Sequence, residues 1–129
     1  GLKRQMSDKR QAYGEMGDRM IALIKAFRDL PDVHVVMTAK QERVQDISGM
    51  ILYGPSFPGK MVSQSVSYLF DEVFALRTDT DDQGEVFRSF QCQRDASYDC
   101  KDRSGRLDVH EPADLHSIWK KIANNPKEK

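Results

Sequence analysis

The sequence predicts a mixed α/β fold from a few local patterns. An amphipathic helical pattern opens the chain of 129 residues, and a continuously apolar, β-branched run, Val33–Thr38, follows it directly. A helix that leads into such a run is half of an α/β unit. Shorter runs with strand character, separated by polar turns, fill the second half before a closing helical pattern. Because a chain of this length is normally one domain, we expect a single domain over residues 1–129.

The net charge is zero, because 20 basic residues balance 20 acidic ones. The bulk charge therefore gives no attraction to nucleic acid or membranes, and any such contact requires a local patch. The longest apolar run is too short to cross a bilayer, so we expect no membrane partner. Cys92 and Cys100 would fall one step out of register across a tight turn, which disfavours a disulfide between them. Unpaired cysteines indicate a reducing cytoplasm.

The first helix is predicted from a capping residue at Ser7 to Leu30, with Pro31 ending it. Gly14 and Gly17 weaken a helix by roughly 1 kcal/mol each against Ala, which suggests that they mark close packing. Beyond this helix we predict, in order, a strand at 33–38, a loop at 44–59, a helix at 61–69, three antiparallel strands at 73–76, 86–92 and 98–101, a closing helix at 111–124 and a polar tail at 125–129.

The strand Val33–Thr38 is expected to be parallel and buried on both faces, because it is apolar without alternation. It ends in polar residues that include Thr38 and Lys40. Ligands bind at the carboxyl ends of strands in open α/β sheets, so these residues are candidates for a binding site. A plain polar exit from the strand explains the same pattern equally well. The closing helix is expected to begin at Pro112, in a favourable first position.

Gly54, Gly59 and Lys60 match the spacing of a phosphate-binding P-loop. That loop needs free backbone N–H groups, and a Ser or Thr after the Lys to hold magnesium. Here Met61 replaces the hydroxyl, and two prolines inside the segment remove N–H donors. The candidate magnesium acid, Asp71, follows too closely to lie on a later strand. We therefore interpret the segment as an imitation of a P-loop.

A second imitation is Asp79–Gly84, which matches the opening of a calcium-binding EF-hand loop. Phe90 stands where that loop needs a bidentate Glu, and strands flank the segment in place of helices. We predict a polar hairpin turn here. The three histidines are scattered without ligand spacing, so no metal site is expected.

A charged turn, Lys101–Gly105, carries a Lys and an Arg two positions apart. Residues with this spacing at a strand end point to the same side of the pleat. Such a pair is suited to phosphate, because Arg can clamp a phosphate group through two hydrogen bonds. On spacing alone, a solvated hairpin end is the commoner explanation of such a turn.

The order of these elements resembles the C-terminal half of the RecA-like ATPase core. A helix, a strand ending in Thr38, a Gly/Pro loop, Gly59-Lys60 opening a helix, an apolar-acidic segment at 70–73 and the turn Lys101–Gly105 carry the resemblance, which runs from about Asp8 to Asp108. The chain looks most like small phage-encoded RecA-like ATP-binding proteins of recombination and single-strand annealing. The resemblance implies a partial RecA-like sheet that continues into an antiparallel meander and a C-terminal helix.

The resemblance also implies roles for particular residues. Thr38 and Lys40 resemble the sensor position that contacts the γ-phosphate from the side. Lys101 and Arg103 resemble a basic pair that reaches into the ATP site of a neighbouring subunit as a trans-acting finger. The loop between strand and second helix resembles a DNA-facing loop, whose residues here would be Gln45, Gly54, Gly59 and Lys60.

The P-loop and the magnesium-binding strand of that family precede the first helix and have no counterpart in this sequence. We therefore expect a C-terminal fragment of a larger ATPase, in which ATP and Mg²⁺ belong to the full-length protein and no cofactor to this chain alone. The implied partners are single-stranded DNA and further copies of the protein, in the cytoplasm of a bacterial host. A non-enzymatic module that docks on a partner subunit through the long helix is one alternative. A degenerate nucleotide binder that uses Gly54–Lys60 is another.

Overall fold

The computed structural model describes residues 1–124, so the predicted tail at 125–129 lies outside the described residues. The described chain divides into two compact units, Gly1–Phe70 and a second unit that begins at Asp71. Each unit has its own apolar core, and each is described separately below. The chain combines helices, antiparallel sheets and a C-terminal helix, so the predicted α/β class is confirmed.

The first unit opens with helix α1 (Leu2–Arg28), which begins five residues before the predicted cap and ends close to the predicted end. Its buried side chain Ile24 packs with Val62 and Val66 in the core of the unit. A Cβ atom placed on Gly17 would lie 3.4 Å from a methyl group of Val62, whereas one placed on Gly14 would meet nothing within 4 Å. Close packing is therefore confirmed for the first of these glycines only.

The predicted parallel strand Val33–Thr38 is wrong: these residues are not paired in any sheet. Val33 and Val36 are 58% and 53% exposed, and only Met37 packs against the core of the unit. A strand needs a neighbour that supplies partners for its N–H and C=O groups. The one ladder among the described residues of this unit lies elsewhere, so the apolar segment remains without a neighbouring strand.

The predicted loop at 44–59 is mostly a β-hairpin, which corrects the second prediction for this unit. Strands β1 (Lys40–Gln45) and β2 (Ile51–Ser56) pair antiparallel across a turn. Asp46 closes that turn, because its carboxylate accepts hydrogen bonds from the Met50 N–H and the Ser48 hydroxyl. Gly49 supplies the positive φ of 93° that the turn needs. An Asp with a Gly three positions later is compatible with a hairpin turn as well as with the predicted loop.

The hairpin leads into helix α2 (Lys60–Ser65) and a short 3₁₀ helix (Val66–Leu69), which together occupy the predicted helix. Leu52 on the inner face of the hairpin and Val62 on the helix are almost fully buried. The Ser63 hydroxyl donates to the Phe57 carbonyl oxygen and accepts from the N–H of the same residue, which fixes the entry of the helix.

The second unit contains two small sheets and a helix. Strands β4 (Ala75–Thr80) and β5 (Val86–Gln91) form the predicted antiparallel hairpin. Its turn is closed by the Asp81 carboxylate, which accepts from two backbone N–H groups, so the EF-hand-like segment is a polar hairpin turn as predicted. The remaining elements of the unit are β3 (Glu72–Val73), β6 (Lys101–Asp102), β7 (His110–Pro112) and α3 (Leu115–Ala123).

The predicted third strand of the meander and the predicted start of the closing helix are both corrected. The strand β6 shares only Lys101 with the predicted strand at 98–101, and it pairs with β3, whereas β5 pairs with β7. Pro112 belongs to β7, and α3 begins after Asp114, whose carboxylate accepts from the His116 N–H. A capping carboxylate satisfies a backbone donor that the proline could not, so it fixes the first turn.

Helix α3 covers the core of the second unit, where Ile118 packs with Leu107 and Cys92. Both cysteines are buried and free. Lys121 of α3 donates to the buried Glu111 of β7 at 2.6 Å, which attaches the helix to the sheet. No helix among residues 1–124 is long and apolar enough to span a membrane.

Candidate functional site

The most organised surface feature of the second unit is the segment 101–107, which we call the Arg103 turn. It begins in β6 and projects Arg103, whose side chain is 76% exposed. The backbone N–H of Arg103 donates to the Asp71 carbonyl oxygen at 3.1 Å, which continues the β3–β6 ladder by one hydrogen bond. The guanidinium donates to the Asp71 carboxylate at 2.8 Å. The cation is therefore directed by its backbone and restrained by one exposed carboxylate.

The carboxylate of Asp102 closes this turn. One of its oxygens accepts from the Ser104 N–H at 2.9 Å and from the Ser104 hydroxyl at 2.6 Å, and the other accepts from the Leu107 N–H at 3.0 Å. Gly105 has a φ of 69°, which lets the chain reverse between these two donors. A short acidic side chain followed by Ser and Gly is a pattern that folds locally in this way.

The base of the turn is fixed in the unit. Leu107 is buried in the core, and the Arg106 guanidinium donates to the Ile122 carbonyl oxygen near the end of α3. The Ser104 hydroxyl also accepts from the Arg106 N–H at 3.1 Å. The tip of the turn is therefore exposed while its base is held by core packing and hydrogen bonds.

Glu72 lies opposite Asp102 in the β3–β6 ladder, so the two carboxyl groups are neighbours. Burial raises the pKa of Glu72 from 4.5 to about 8, and the hydrogen bond and negative charge of Asp102 add to the rise. Burial also acts to raise the pKa of Asp102, but hydrogen bonds from Ser104, Leu107 and Glu72 outweigh it and leave that pKa lowered. The pair therefore shares one proton at neutral pH, carried by Glu72.

Alternation along the strands separates the two sets of side chains. Successive residues of a strand point to opposite faces, so Lys101 and Arg103 share one face and Asp102 points to the other. Lys101 is half-buried, whereas Arg103 is exposed. The basic residues thus lie on the same side as Asp71, and the two carboxyls that share a proton lie behind them.

The predicted sensor residues belong to the first unit. Thr38 is exposed in the segment without strand pairing, and Lys40 is the first residue of β1. The Lys40 ammonium lies 2.7 Å from the Glu42 carboxylate. The hydrogen bond and charge of Glu42 raise the pKa of Lys40, and the same contact, with a hydrogen bond from Ser56, lowers the pKa of Glu42. Lys40 therefore forms an ion pair within its own strand.

Three of the four predicted DNA-facing residues are exposed. Gln45 ends β1, and Gly59 and Lys60 form the entry to α2. Gly54, in contrast, is buried within β2 opposite Glu42, so the structure does not place it on this surface. The exposed residues lie at the two ends of the hairpin and not in a loop.

The segment that imitates a P-loop is not a phosphate-binding loop in the structure. Its first residues, from Gly54 to Ser56, continue β2, and the helix that follows Gly59 has only six residues. Residues 1–124 contain no group of three or more His, Cys, Asp or Glu side chains that could hold a metal ion. The segment 54–60 therefore lacks the loop of backbone N–H groups that a P-loop places around phosphate.

The two basic residues of the turn are predicted from the sequence, but the three carboxyl groups around them are not. Asp71 contacts Arg103, Asp102 closes the turn, and Glu72 lies opposite Asp102. The sequence suggests Asp71 only as a magnesium acid, and it does not indicate that Glu72 and Asp102 pair. The Asp-x-Ser-Gly order of the turn could have identified Asp102, because this order is typical of a side chain that caps its own turn. The partner Glu72 depends on strand pairing between distant segments, which one sequence does not specify.

The fold and the turn define an α/β protein that presents a restrained cation at its surface. A family model described as an AAA domain matches residues 2–104, which is most of the chain and includes the Arg103 turn as far as Ser104. The chain therefore belongs to the AAA domain family, whose members are P-loop ATPases that generally use ATP and Mg²⁺. No curated protein and no solved structure matches the chain.

The shared proton predicts a pH dependence of stability. Between pH 4.5 and about 8 the folded chain keeps a proton on Glu72 that the unfolded chain has released. This contribution to stability is fully present below pH 4.5 and is lost progressively until the pH has risen through about 8, because between these two pKa values the unfolded state binds fewer protons than the folded state. Thermal unfolding across this range should show a wild-type melting temperature that falls relative to that of Glu72→Gln.

The matched control is Glu85→Gln, which neutralises an exposed carboxyl on the β4–β5 turn. This control should keep the wild-type pH slope. Parallel slopes for wild type and Glu72→Gln would contradict the assignment of the proton to Glu72.

Proposed function

We propose that the chain is the C-terminal part of a RecA-like ATPase that couples ATP hydrolysis to DNA recombination or single-strand annealing. In this proposal Arg103 is a trans-acting finger that contacts the phosphates of ATP bound by a neighbouring copy, with Lys101 beside it. Membership of the AAA domain family supports ATPase-type function in general. The observation that carries the specific role is the exposed guanidinium at the tip of a turn whose base is fixed.

The contact between Arg103 and Asp71 suits this role. Both side chains are more than 70% exposed, at 76% and 72%. Exposed ion pairs contribute about 1 kcal/mol or less, so an incoming phosphate can replace the carboxylate at little cost. Arg binds phosphate through two parallel hydrogen bonds, which a single carboxylate oxygen at 2.8 Å does not use fully. In this proposal Asp71 therefore orients Arg103 but binds it weakly enough for the phosphate of a neighbouring subunit to replace it.

Replacing Arg103 by Ala in the full-length protein that carries a P-loop should lower kcat by roughly a thousandfold or more, the range known for trans-acting arginines. Affinity for ATP should change little, because the nucleotide is bound by the neighbouring copy. Arg88→Ala is the matched control, since it removes another exposed arginine of the same unit. Steady-state turnover and equilibrium nucleotide binding measure the two effects.

A mixing experiment tests whether Arg103 acts on the ATP site of a neighbouring subunit. Mixing Arg103→Ala subunits with subunits that lack the P-loop lysine should restore part of the turnover, because some interfaces then combine an intact finger with an intact P-loop. Unchanged turnover in Arg103→Ala alone, or no recovery on mixing, would rule out the trans finger.

The proposal extends to the first unit, with Thr38 and Lys40 in a sensor role and the ends of the hairpin facing single-stranded DNA. The support for DNA contact is the exposed position of Lys60 beside Gly59 and, across the hairpin, of Gln45. Since the net charge is zero, such a contact rests on local cations.

Lys60→Ala should weaken binding of single-stranded DNA several-fold for all sequences, and should reduce the salt slope of binding by roughly one. Fluorescence anisotropy over a range of salt concentrations measures both quantities. Lys120→Ala removes an exposed lysine of α3 and should leave binding unchanged. Equal affinities and slopes for the wild type and both variants would argue against DNA contact at this site.

A second candidate is a non-enzymatic module that docks on a partner subunit through α1. One observation favours it: besides its buried face, α1 exposes a stripe of large apolar side chains at helical spacing. Their exposed fractions range from 41% to 53% for Met16, Leu23, Phe27 and the following Leu30. Apolar stripes of this kind on an exposed helix are typical of helix-mediated association.

The two candidates differ in their dependence on nucleotide. Docking through α1 predicts a stable complex with the partner subunit that is independent of ATP and is weakened at least tenfold by Leu23→Glu. Ala22→Glu places the same charge on the exposed position beside it and serves as the control. Sedimentation velocity of the full-length protein with and without ATP distinguishes these cases, and assembly that requires ATP would favour the ATPase over the docking module.

A further inference from the structure

Asp102 and Glu72 face each other across the β3–β6 ladder, on the face opposite to Arg103. Asp102 accepts three hydrogen bonds from Ser104 and Leu107, and these bonds define the path of the chain on both sides of the finger. Its other neighbour is Glu72, which faces it across the two-residue ladder of β3 and β6. The orientation of Arg103 therefore depends on a carboxylate whose nearest ladder partner is another carboxyl group.

Two carboxylates in this position would repel each other if both were ionised. Oε2 of Glu72 is buried and has no hydrogen-bond partner among the residues that the structure describes. An ionised Glu72 would leave that oxygen without a donor, which is costly, whereas a protonated carboxyl can donate to Asp102. Geometry and burial thus both favour a pair that holds one proton.

We propose that Glu72 and Asp102 are positioning residues for Arg103: the proton held by Glu72 keeps Asp102 in place, and Asp102 keeps the turn in the conformation that presents the finger. This inference rests on the proposed finger role of Arg103 and adds to it the groups that hold the finger and the condition under which they do so. Neither carboxyl contacts the nucleotide in this arrangement.

The groups around Glu72 determine the direction of the pH effect. Asp102 and the Ser104 N–H face it from the turn, and the charge of Asp71 acts on it from the preceding position. Glu72 in turn acts on the thiol of Cys92, the residue directly after β5. Burial raises the pKa of this thiol to about 12, so it stays neutral between pH 7 and pH 9. Lys101 and Arg103 lie on the opposite face of the ladder. Loss of the Glu72 proton therefore adds a negative charge among acidic groups.

The consequence is a fall in turnover at alkaline pH. With a pKa of about 8, Glu72 keeps its proton in most molecules at about pH 7 and in about one tenth of them at about pH 9. If only the protonated pair holds the turn, kcat should fall about tenfold over this interval. The KM for ATP should stay constant, because the neighbouring copy binds the nucleotide.

Three variants of the full-length ATPase test the inference. Glu72→Gln keeps a side chain that donates to Asp102 but does not titrate, so its kcat should lose the tenfold alkaline fall that the wild type shows. Asp102→Asn cannot accept from both Ser104 and Leu107, so its kcat should drop at every pH with KM unchanged. The matched control is Asp95→Asn, since Asp95 caps a similar turn of the same unit by accepting from the Ser97 and Tyr98 N–H groups; its kcat should equal that of the wild type.

A second readout is independent of activity. The carboxyl carbon resonance of Glu72 should titrate with a midpoint near pH 8, and Asp102→Asn should lower this midpoint because it removes the neighbouring negative charge. An unchanged midpoint in Asp102→Asn would overturn the pairing. The same measurement remains informative if a variant loses turnover through misfolding, because a misfolded chain also loses the dispersed spectrum.

The outcomes separate this inference from the proposed function. If Arg103→Ala abolishes turnover and Glu72→Gln keeps the alkaline fall of the wild type, the finger stands and the positioning role is overturned. If Arg103→Ala leaves turnover unchanged, the finger fails and the positioning role fails with it. Loss of turnover in Arg103→Ala together with a flat pH profile in Glu72→Gln supports both.

Discussion

The Arg103 turn on the surface of the second unit depends on the hydrogen bonds that the Asp102 carboxylate accepts. This carboxylate receives three hydrogen bonds within five residues of chain, and it lies between a core residue, Leu107, and the exposed side chain of Arg103. Local hydrogen bonds of this kind convert a flexible connection into a defined turn at the cost of only one side chain. The unit thereby presents a cation with precision although β3 and β6 contribute only two residues each.

The short β3–β6 ladder also separates two chemical tasks. Its exposed face carries the Arg103 guanidinium, which contacts the equally exposed carboxylate of Asp71. Its inner face carries Glu72 and Asp102, which are half-buried and bind each other. Strand alternation produces this separation without any further structure. A change of protonation on the inner face can therefore affect the exposed face while leaving its charges in place.

The elements that were predicted correctly are those that depend on interactions between residues close in the sequence. Helices α1 and α3, the β4–β5 hairpin and its Asp81 turn all follow from periodicity and turn chemistry, and the structure confirms them. The segment at 33–38 was assigned wrongly because its β-branched composition indicates a strand, whereas a strand also needs a neighbour, and none of the described residues supplies one. Lys101 and Arg103 could be proposed from the sequence because they lie two positions apart in one turn. The pairing of Glu72 with Asp102 could not, because it joins segments thirty residues apart.

If Arg103 binds phosphate as we propose, its contact with Asp71 gives the site a preference among anions. Every anion that approaches the guanidinium competes with a carboxylate that is already attached to the same strand pair and therefore present at high effective concentration. Monovalent anions such as chloride or acetate gain nothing over it. A phosphate chain brings more charge and a second hydrogen bond, so it can displace the carboxylate. In that proposed role Asp71 would set a minimum charge for a competing anion, and because salt screens exposed ion pairs, this minimum would be highest at low ionic strength.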